Sequence, residues 1–352
     1  LPWFTACVVG GDDPSGSGSA SVSGPRNDEA LALLDDVANE LLALFPELAT
    51  SLGLVTGARA DLKSRLTDRS LAGKERIAAR IRTDLDRVSA FDTTGLPATT
   101  RISFEVVQSA YGTALEGFAL PYGEITVGSW RNAPYPAIQN VGAYLDVPRF
   151  LDTDHRIAGA ADAEAYLARL ESFARQLDGE LERMQAAREM GVVPPGFLID
   201  KAVGQMTLSL QGLQGGGSLV ESLERRTADI AGDWAGRART LVAQEVTPAL
   251  ERQRAELQAQ RASATDDPGI AARPGGEEFS RWALKASTTT TMTPDEIHEL
   301  GLAEVQELHA QLEVILSEIG YTDGTGGQRL RALGGDPRYQ FSVGGGGRAA
   351  RL

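Results

Sequence analysis

TPDEIHELGLAEVQELHAQLEVILSEI, residues 293–319, is the stretch that most clearly decides the fold. Thr293 can accept a hydrogen bond from a free backbone N–H, Pro294 suits the first helical turn, and Glu296 can reach back to the cap. Apolar residues then recur at helical spacing through about seven turns before Gly320. The stretch therefore predicts a long helix with a buried face, made of Ile297, Val305, Leu308, Leu312, Ile315 and Ile319.

The same helical period recurs along most of the chain. Further apolar stripes cover residues 30–44, 77–88, 104–118 and 166–184. A long polar helix is predicted from about Trp234 to Arg261, with a kink at Pro248. Strand-like alternation is absent except for at most one short hairpin around Glu124 to Val127. The predicted class is all-α, a multi-helix body with long kinked helices.

From Pro121 to Phe150 the helical period disappears and prolines alternate with aromatic residues. This pattern predicts an ordered, aromatic-rich loop region. Four of its residues are candidates to line a substrate cleft, because they offer aromatic surface, a guanidinium that can hold a carboxylate, and an amide. They are Trp130, Arg131, Asn132 and Tyr135. The alternative is that the aromatics pin the loop to the core.

Composition excludes two classes of partner. With 48 acidic and 34 basic side chains the formal charge is -14, which repels phosphate backbones, so nucleic acid is not an expected partner. No stretch approaches the roughly 20 apolar residues of a membrane-spanning helix. A hydrophobic share of 42% nevertheless predicts a globular protein with a substantial core.

The single cysteine, Cys7, follows Phe4, Thr5 and Ala6 and precedes a Gly- and Ser-rich stretch typical of a flexible tether. This order is similar to a bacterial lipoprotein processing site, so Cys7 is a candidate for lipidation. The alternative is a frayed N-terminus with a free thiol. We expect a leader and linker over residues 1–26, a helical domain over 27–341 and a Gly-rich irregular tail over 342–352.

The three histidines are scattered. His298-Glu299 begins like a His-Glu-x-x-His zinc helix, but Leu302 occupies the second ligand position. His309 lies eleven residues beyond His298, which separates the two by roughly 16 Å along a helix. His155 follows Asp152 and Asp154, so either a carboxylate–histidine base or ordinary capping fits the pattern. We therefore expect no metal site and no catalytic residue in this chain.

Several segments resemble the bacterial family known as domain of unknown function 885. They are Phe45 to Gly53, Gln139 to Tyr144, Pro148 to Thr153, Val193 to Phe197, Ile199 to Lys201 and, most specifically, Thr288 to Gly301. In this order they cover about Glu29 to Tyr339. The resemblance implies an exported or lipid-anchored helical protein related to zinc metallopeptidases, located in the cell envelope, either periplasmic or lipid-anchored.

The resemblance also implies metal-assisted hydrolysis of a peptide or small amide by a zinc-bound water. The His-Glu zinc motif of such proteins belongs to a C-terminal half beyond the matched region. We therefore expect this chain to be a truncated scaffold half, inactive alone, with zinc expected only in a full-length relative. Apolar surface meant for the missing half should promote self-association. The alternative is a non-catalytic envelope binding or interaction module.

Overall fold

The computed structural model describes residues 24–128 and 132–340, and most of these residues are helical. The helices are α1 (Pro25–Leu44), α2 (Pro46–Ser51), α3 (Leu71–Ala90), α4 (Ala98–Phe118), α5 (Ala143–Thr153), α6 (Ala160–Glu189), α7 (Gly196–Gly212), α8 (Gly217–Arg226), α9 (Trp234–Leu241), α10 (Thr247–Arg261), α11 (Gly276–Thr288), α12 (Pro294–Glu318) and α13 (Gly326–Gly335). The described residues contain no strand, only isolated antiparallel bridges at Glu124–Ala133 and Ile138–Val141. The all-α prediction is confirmed.

The chain divides into two compact units between Thr289 and Thr290. In the first, α6 is the central helix, and Tyr166, Leu170 and Leu177 on it are fully buried. Helices α5 and α10 pack against α6, and α7 packs against α10, in the main apolar core. A separate core joins α1, α3 and α4 through their predicted stripes. Helices α12 and α13 form the second unit.

The region from Pro121 to Phe150 is only partly irregular. Helix α5 begins at Ala143, directly after Gly142, whose φ of 131° suits glycine. It contains Pro148. Because proline is unfavourable inside a helix, the sequence pattern did not predict α5. At Pro248 the predicted helix does continue, but α9 and α10 are joined by a π-helical turn at Val242–Val246. Regular α geometry is therefore interrupted just before the proline.

The predicted burial of the α12 stripe is wrong. The capping box at Thr293 and Glu296 is present and the helix has the predicted start. Its stripe, however, is open: Val305, Leu308 and Ile315 are 51%, 57% and 55% exposed. Among the α12 residues only Leu316 is buried. The helix therefore presents an unpacked apolar face. None of the helices in the described ranges combines the length and apolarity needed to cross a membrane.

Candidate functional site

Two of the four predicted cleft residues, Asn132 and Tyr135, lie in the described part of the loop region. Trp130 and Arg131 lie outside the described residues, as does Cys7. The Oδ1 atom of Asn132 accepts hydrogen bonds from the backbone N–H and the hydroxyl of Thr126, at 2.9 and 3.1 Å. Tyr135 is 7% exposed and belongs to the main core. These two side chains hold the loop, and their role in a cleft stays a prediction.

Burial also governs the chemistry of Tyr135. Removal from water raises the pKa of this phenol, while the nearby Arg273 guanidinium opposes the rise. Tyr122, which stacks on Phe279 at 5.6 Å between ring centroids, likewise has its pKa raised by burial. Both phenols are therefore neutral at ordinary pH and serve as apolar anchors for the loop.

A charged cavity lies beneath this loop. Paired backbone hydrogen bonds between Glu124 and Ala133, at 2.7 and 3.0 Å, close the loop base. They place the Glu124 carboxylate 2.6 Å from Nη1 of Arg183 on α6. The other terminal nitrogen of Arg183 donates to the Gly123 carbonyl oxygen at 2.6 Å. One arginine of the central helix thus ties down the loop and pairs with its acidic residue.

The cavity has a volume of about 30 Å³, enough for about two water molecules. Its charged lining comprises Asp68, Arg69, Lys74, Glu124 and Arg183. Asp68 is exposed, so the cavity reaches the protein surface at that residue. Its apolar lining includes Phe45, Ile77, Phe118 and Ile125.

A glycine on α6 brings the cavity walls together. A Cβ atom at Gly179 would lie 2.7 Å from the backbone nitrogen of Ser70, closer than real Cβ contacts come. Any larger residue would therefore push the segment before α3 away from α6. Because Ser70 caps α3, this close approach also sets the position of Lys74 on the first turns of that helix.

The cavity perturbs two of its charged groups. Burial lowers the pKa of Lys74 to about 8, Arg183 lowers it further, and Glu124 opposes both effects. Burial alone would raise the pKa of Glu124, but Arg183 and Arg69 hold it below its ordinary value. The site therefore combines an ionised carboxylate with an amine that loses its proton close to neutral pH.

A second buried pair continues from the cavity into the core. Nη1 of Arg69 lies 2.7 Å from Oε1 of Glu180, which is fully buried. The same oxygen accepts a hydrogen bond from the backbone N–H of Ala143 at 2.8 Å, and Oε2 of Glu180 accepts one from Nε2 of Gln253 at 3.0 Å. Burial raises the pKa of Glu180, opposed by Arg69. This network joins the cavity to the start of α5 and to α10.

His155 does not form the carboxylate–histidine base considered above. Its Nδ1 atom lies 2.7 Å from Nη1 of Arg169, and its Nε2 atom lies 2.9 Å from the backbone oxygen of Asp162. Because arginine only donates, Nδ1 must accept and Nε2 must carry the proton. Both ring nitrogens are thus occupied in a fully buried imidazole, which has a structural role.

The described residues do not fit a zinc ion. His298 and His309 are exposed on α12, and within residues 24–128 and 132–340 no three His, Cys, Asp or Glu side chains converge as metal ligands do. His155 is committed to Arg169 and Asp162. The donor set that zinc requires is therefore not assembled by these parts of the chain.

Sequence reasoning missed the charged cavity because its residues come from separate segments. Arg69 and Lys74 flank the start of α3, Glu124 lies in the loop, and Arg183 lies on α6. Nothing in the local pattern around any of them differs from that of a solvated charge. The one available signal was the pair of glycines, Gly123 in the loop and Gly179 in a helix, where a close approach is typical.

Comparison with known proteins identifies the family. The family described as "Bacterial protein of unknown function (DUF885)" matches residues 46–351. This match extends beyond Tyr339, the end of the region that carries the resemblance. The fold is similar to "The crystal structure of the putative lipoprotein from Colwellia psychrerythraea", with a TM-score of 0.80 at 20% sequence identity. The match covers 94% of this chain and 57% of that one, so this chain spans little more than half of that relative. No curated protein matches. The chain therefore belongs to the DUF885 family of bacterial proteins.

Proposed function

We propose that this chain forms the substrate-cleft scaffold of an exported, metallopeptidase-like hydrolase, whose metal-binding part is not among the described residues. The observation that carries the proposal is the open apolar face of α12. We name the α12 stripe as Val305, Leu308, Leu312, Ile315 and Ile319. A soluble protein rarely leaves such a row of large apolar side chains in water unless another surface covers it.

The α12 stripe has the geometry of a packing surface. Its members recur every three or four residues, so they lie on one side of the helix for about four turns. Acidic side chains, Glu304, Glu307 and Glu318, border this row along one side. An apolar seam bordered by charge is the pattern of a helix face that packs against another helix. The stripe is therefore suited to a further part of a longer protein.

The structural comparison is consistent with such a longer protein. The Colwellia relative extends well beyond the part that this chain matches. A metal-binding part located there would explain why the histidines of this chain do not converge. Because zinc does not fit the described residues, no catalytic step is assigned to any of them.

The envelope location is a further part of the proposal. The solved relative is described as a "putative lipoprotein". Cys7, with its small preceding residues and its Gly- and Ser-rich tether, is the residue that would carry the lipid. In this arrangement the helical body would be held near a membrane surface by a covalent lipid anchor at Cys7.

The proposal is tested by extending the chain. The DNA after codon 352 is sequenced in all three frames, and the longest product is purified beside the 352-residue chain. We expect a downstream His-Glu zinc motif, with stoichiometric zinc and amide hydrolysis confined to the longer product. A stop codon followed by unrelated DNA would overturn the proposal and favour the alternative, a non-catalytic binding module of the envelope.

A further inference from the structure

We propose that Lys74 is a carbamylation site, at which its side-chain amine binds carbon dioxide covalently inside the charged cavity. The site is independent of the proposed hydrolase activity. It is built by the first turns of α3, the loop at Glu124 and the central helix at Arg183.

Lys74 differs from the other three lysines of the chain. Lys63 is paired with Asp162, and Lys285 lies 2.8 Å from Glu116. Lys201 is exposed, with its amine 6.0 Å from the ring centroid of Phe197. Lys74 instead donates to the backbone oxygen of Leu120 at 3.2 Å and lines the cavity. Its amine is therefore held at a small interior space.

The cavity selects a small reactant. Space for about two water molecules suits a three-atom molecule such as carbon dioxide better than an amino acid or a sugar. Phe45, Ile77, Phe118 and Ile125 supply apolar walls that suit an uncharged gas. The exposed Asp68 marks where the reactant enters.

The reaction balances without a further reagent. The lone pair of the neutral Lys74 amine attacks the carbon of carbon dioxide, an N–C bond forms, and one C=O π bond opens to give an oxygen anion. Counted from the ammonium form, two protons leave to water, one before the attack and one from the nitrogen after it, so the cationic side chain becomes an anionic carbamate with no change of oxidation state. Because the pKa of Lys74 is lowered to about 8, its neutral form is available near neutral pH.

The positive and negative groups around the cavity have opposite effects on the stability of the Lys74 carbamate. The charged groups that face Lys74 are Asp68 and Arg69 from the segment before α3, Glu124 from the loop and Arg183 from α6. Arg183 stabilises the carbamate and disfavours protonation of the amine, whereas Glu124 does the reverse. Substitution at these two residues should therefore change carbamate occupancy with opposite signs.

The test detects the new bond itself. The full chain is labelled with ¹⁵N only in lysine, which removes the N-terminal amine from view, and is dissolved with ¹³C-bicarbonate near pH 8. We expect one ¹³C signal split by a directly bonded ¹⁵N. It should vanish in Lys74→Arg and persist in the matched control Lys201→Arg. Occupancy should fall about threefold in Arg183→Gln and rise in Glu124→Gln.

The contrary results are equally definite. A ¹³C signal without ¹⁵N splitting would mean bicarbonate bound without a covalent bond and would overturn the proposal. So would a split signal that survives Lys74→Arg. Circular dichroism of each variant establishes that it is folded, and Lys74→Met provides a second variant if Lys74→Arg unfolds the chain. None of these outcomes depends on whether the hydrolase proposal is correct.

Discussion

Nδ1 of His155 accepts a hydrogen bond from Nη1 of Arg169 at 2.7 Å, and this contact fixes the imidazole in its neutral form. The same arginine donates to the Thr50 hydroxyl at 2.6 Å and to the backbone oxygens of Leu62 and Arg65, both at 3.1 Å. Its guanidinium lies 4.8 Å from the ring centroid of Phe150. Arg169 thus joins α2, the segment after it and α5 to the central helix.

Arg169→Lys should destabilise the first unit by about 3 kcal/mol, because a lysine cannot reproduce the planar set of donors and leaves buried acceptors unpaired. Urea denaturation followed by circular dichroism measures the loss. Arg175→Lys, on the exposed face of the same helix, is the matched control and should change stability by less than about 0.5 kcal/mol. Equal effects of the two substitutions would show that the buried network contributes little.

His155 should make the protein sensitive to acid. Burial, reinforced by Arg169 and opposed by the bond to Asp162, lowers the pKa of His155 to about 4. A depressed histidine pKa stabilises the fold fully above the unfolded value of about 6.5, and this contribution disappears as pH falls toward about 4. The cost of His155→Asn should therefore be larger at pH 7 than at pH 4, by about 3 kcal/mol. His298→Asn, on exposed α12, should show no such pH dependence.

The contribution of Asp84 to folding stability should have the opposite pH dependence to that of His155. It is fully buried, 3.2 Å from Nη1 of Arg87, and Glu40 shares that arginine at 3.5 Å. Burial, with the neighbouring Glu40 carboxylate, raises the pKa of Asp84 to about 6. A raised carboxyl pKa favours the folded state in acid, and this advantage is lost as pH rises through about 6.

Asp84→Asn should therefore become progressively more stable relative to the parent chain as pH increases from 4 to 7. The comparison needs urea denaturation at several pH values, with the exposed Asp86→Asn as control. If Asp84→Asn and the parent chain keep a constant stability difference over this range, the carboxylate pair does not hold an extra proton when folded.

The α12 stripe should cause self-association of the 352-residue chain. Leu308 belongs to the α12 stripe and is 57% exposed. Val314 lies on another side of the same helix and is 59% exposed, so the two residues differ in position but have nearly the same exposure. Leu308→Glu should shift the chain toward monomer in sedimentation velocity at micromolar concentration, while Val314→Glu should not. Equal behaviour of the two variants would remove the stripe as the cause.

Much of the fold follows from local pattern. The 3.6-residue stripes predicted α1, α3, α4 and α6, and Thr293 with Glu296 predicted the start of α12, because caps and amphipathic faces are written within a few neighbouring residues. Helix α5 escaped because Pro148 interrupts its period. The exposure of Leu308 could not be predicted, since a stripe shows which face is apolar and not what covers it.

The charged cavity was beyond local reasoning for a related physical reason. Lys74 and Glu124 are fifty residues apart, and their meeting depends on the loop closure at Ala133 and on the close approach at Gly179. His155 illustrates the same point: its neighbours Asp152 and Asp154 suggested a base, whereas its actual partner, Arg169, lies fourteen residues further along. Chemistry that depends on tertiary contact has no local signature.

Zinc content tests the central proposal most directly. The purified 352-residue chain is loaded with zinc, dialysed exhaustively, and analysed by plasma mass spectrometry against its protein concentration. We predict far less than one zinc per chain, because His155 is committed to Arg169 and the two histidines of α12 lie about three turns apart. One zinc per chain that survives dialysis would contradict the account.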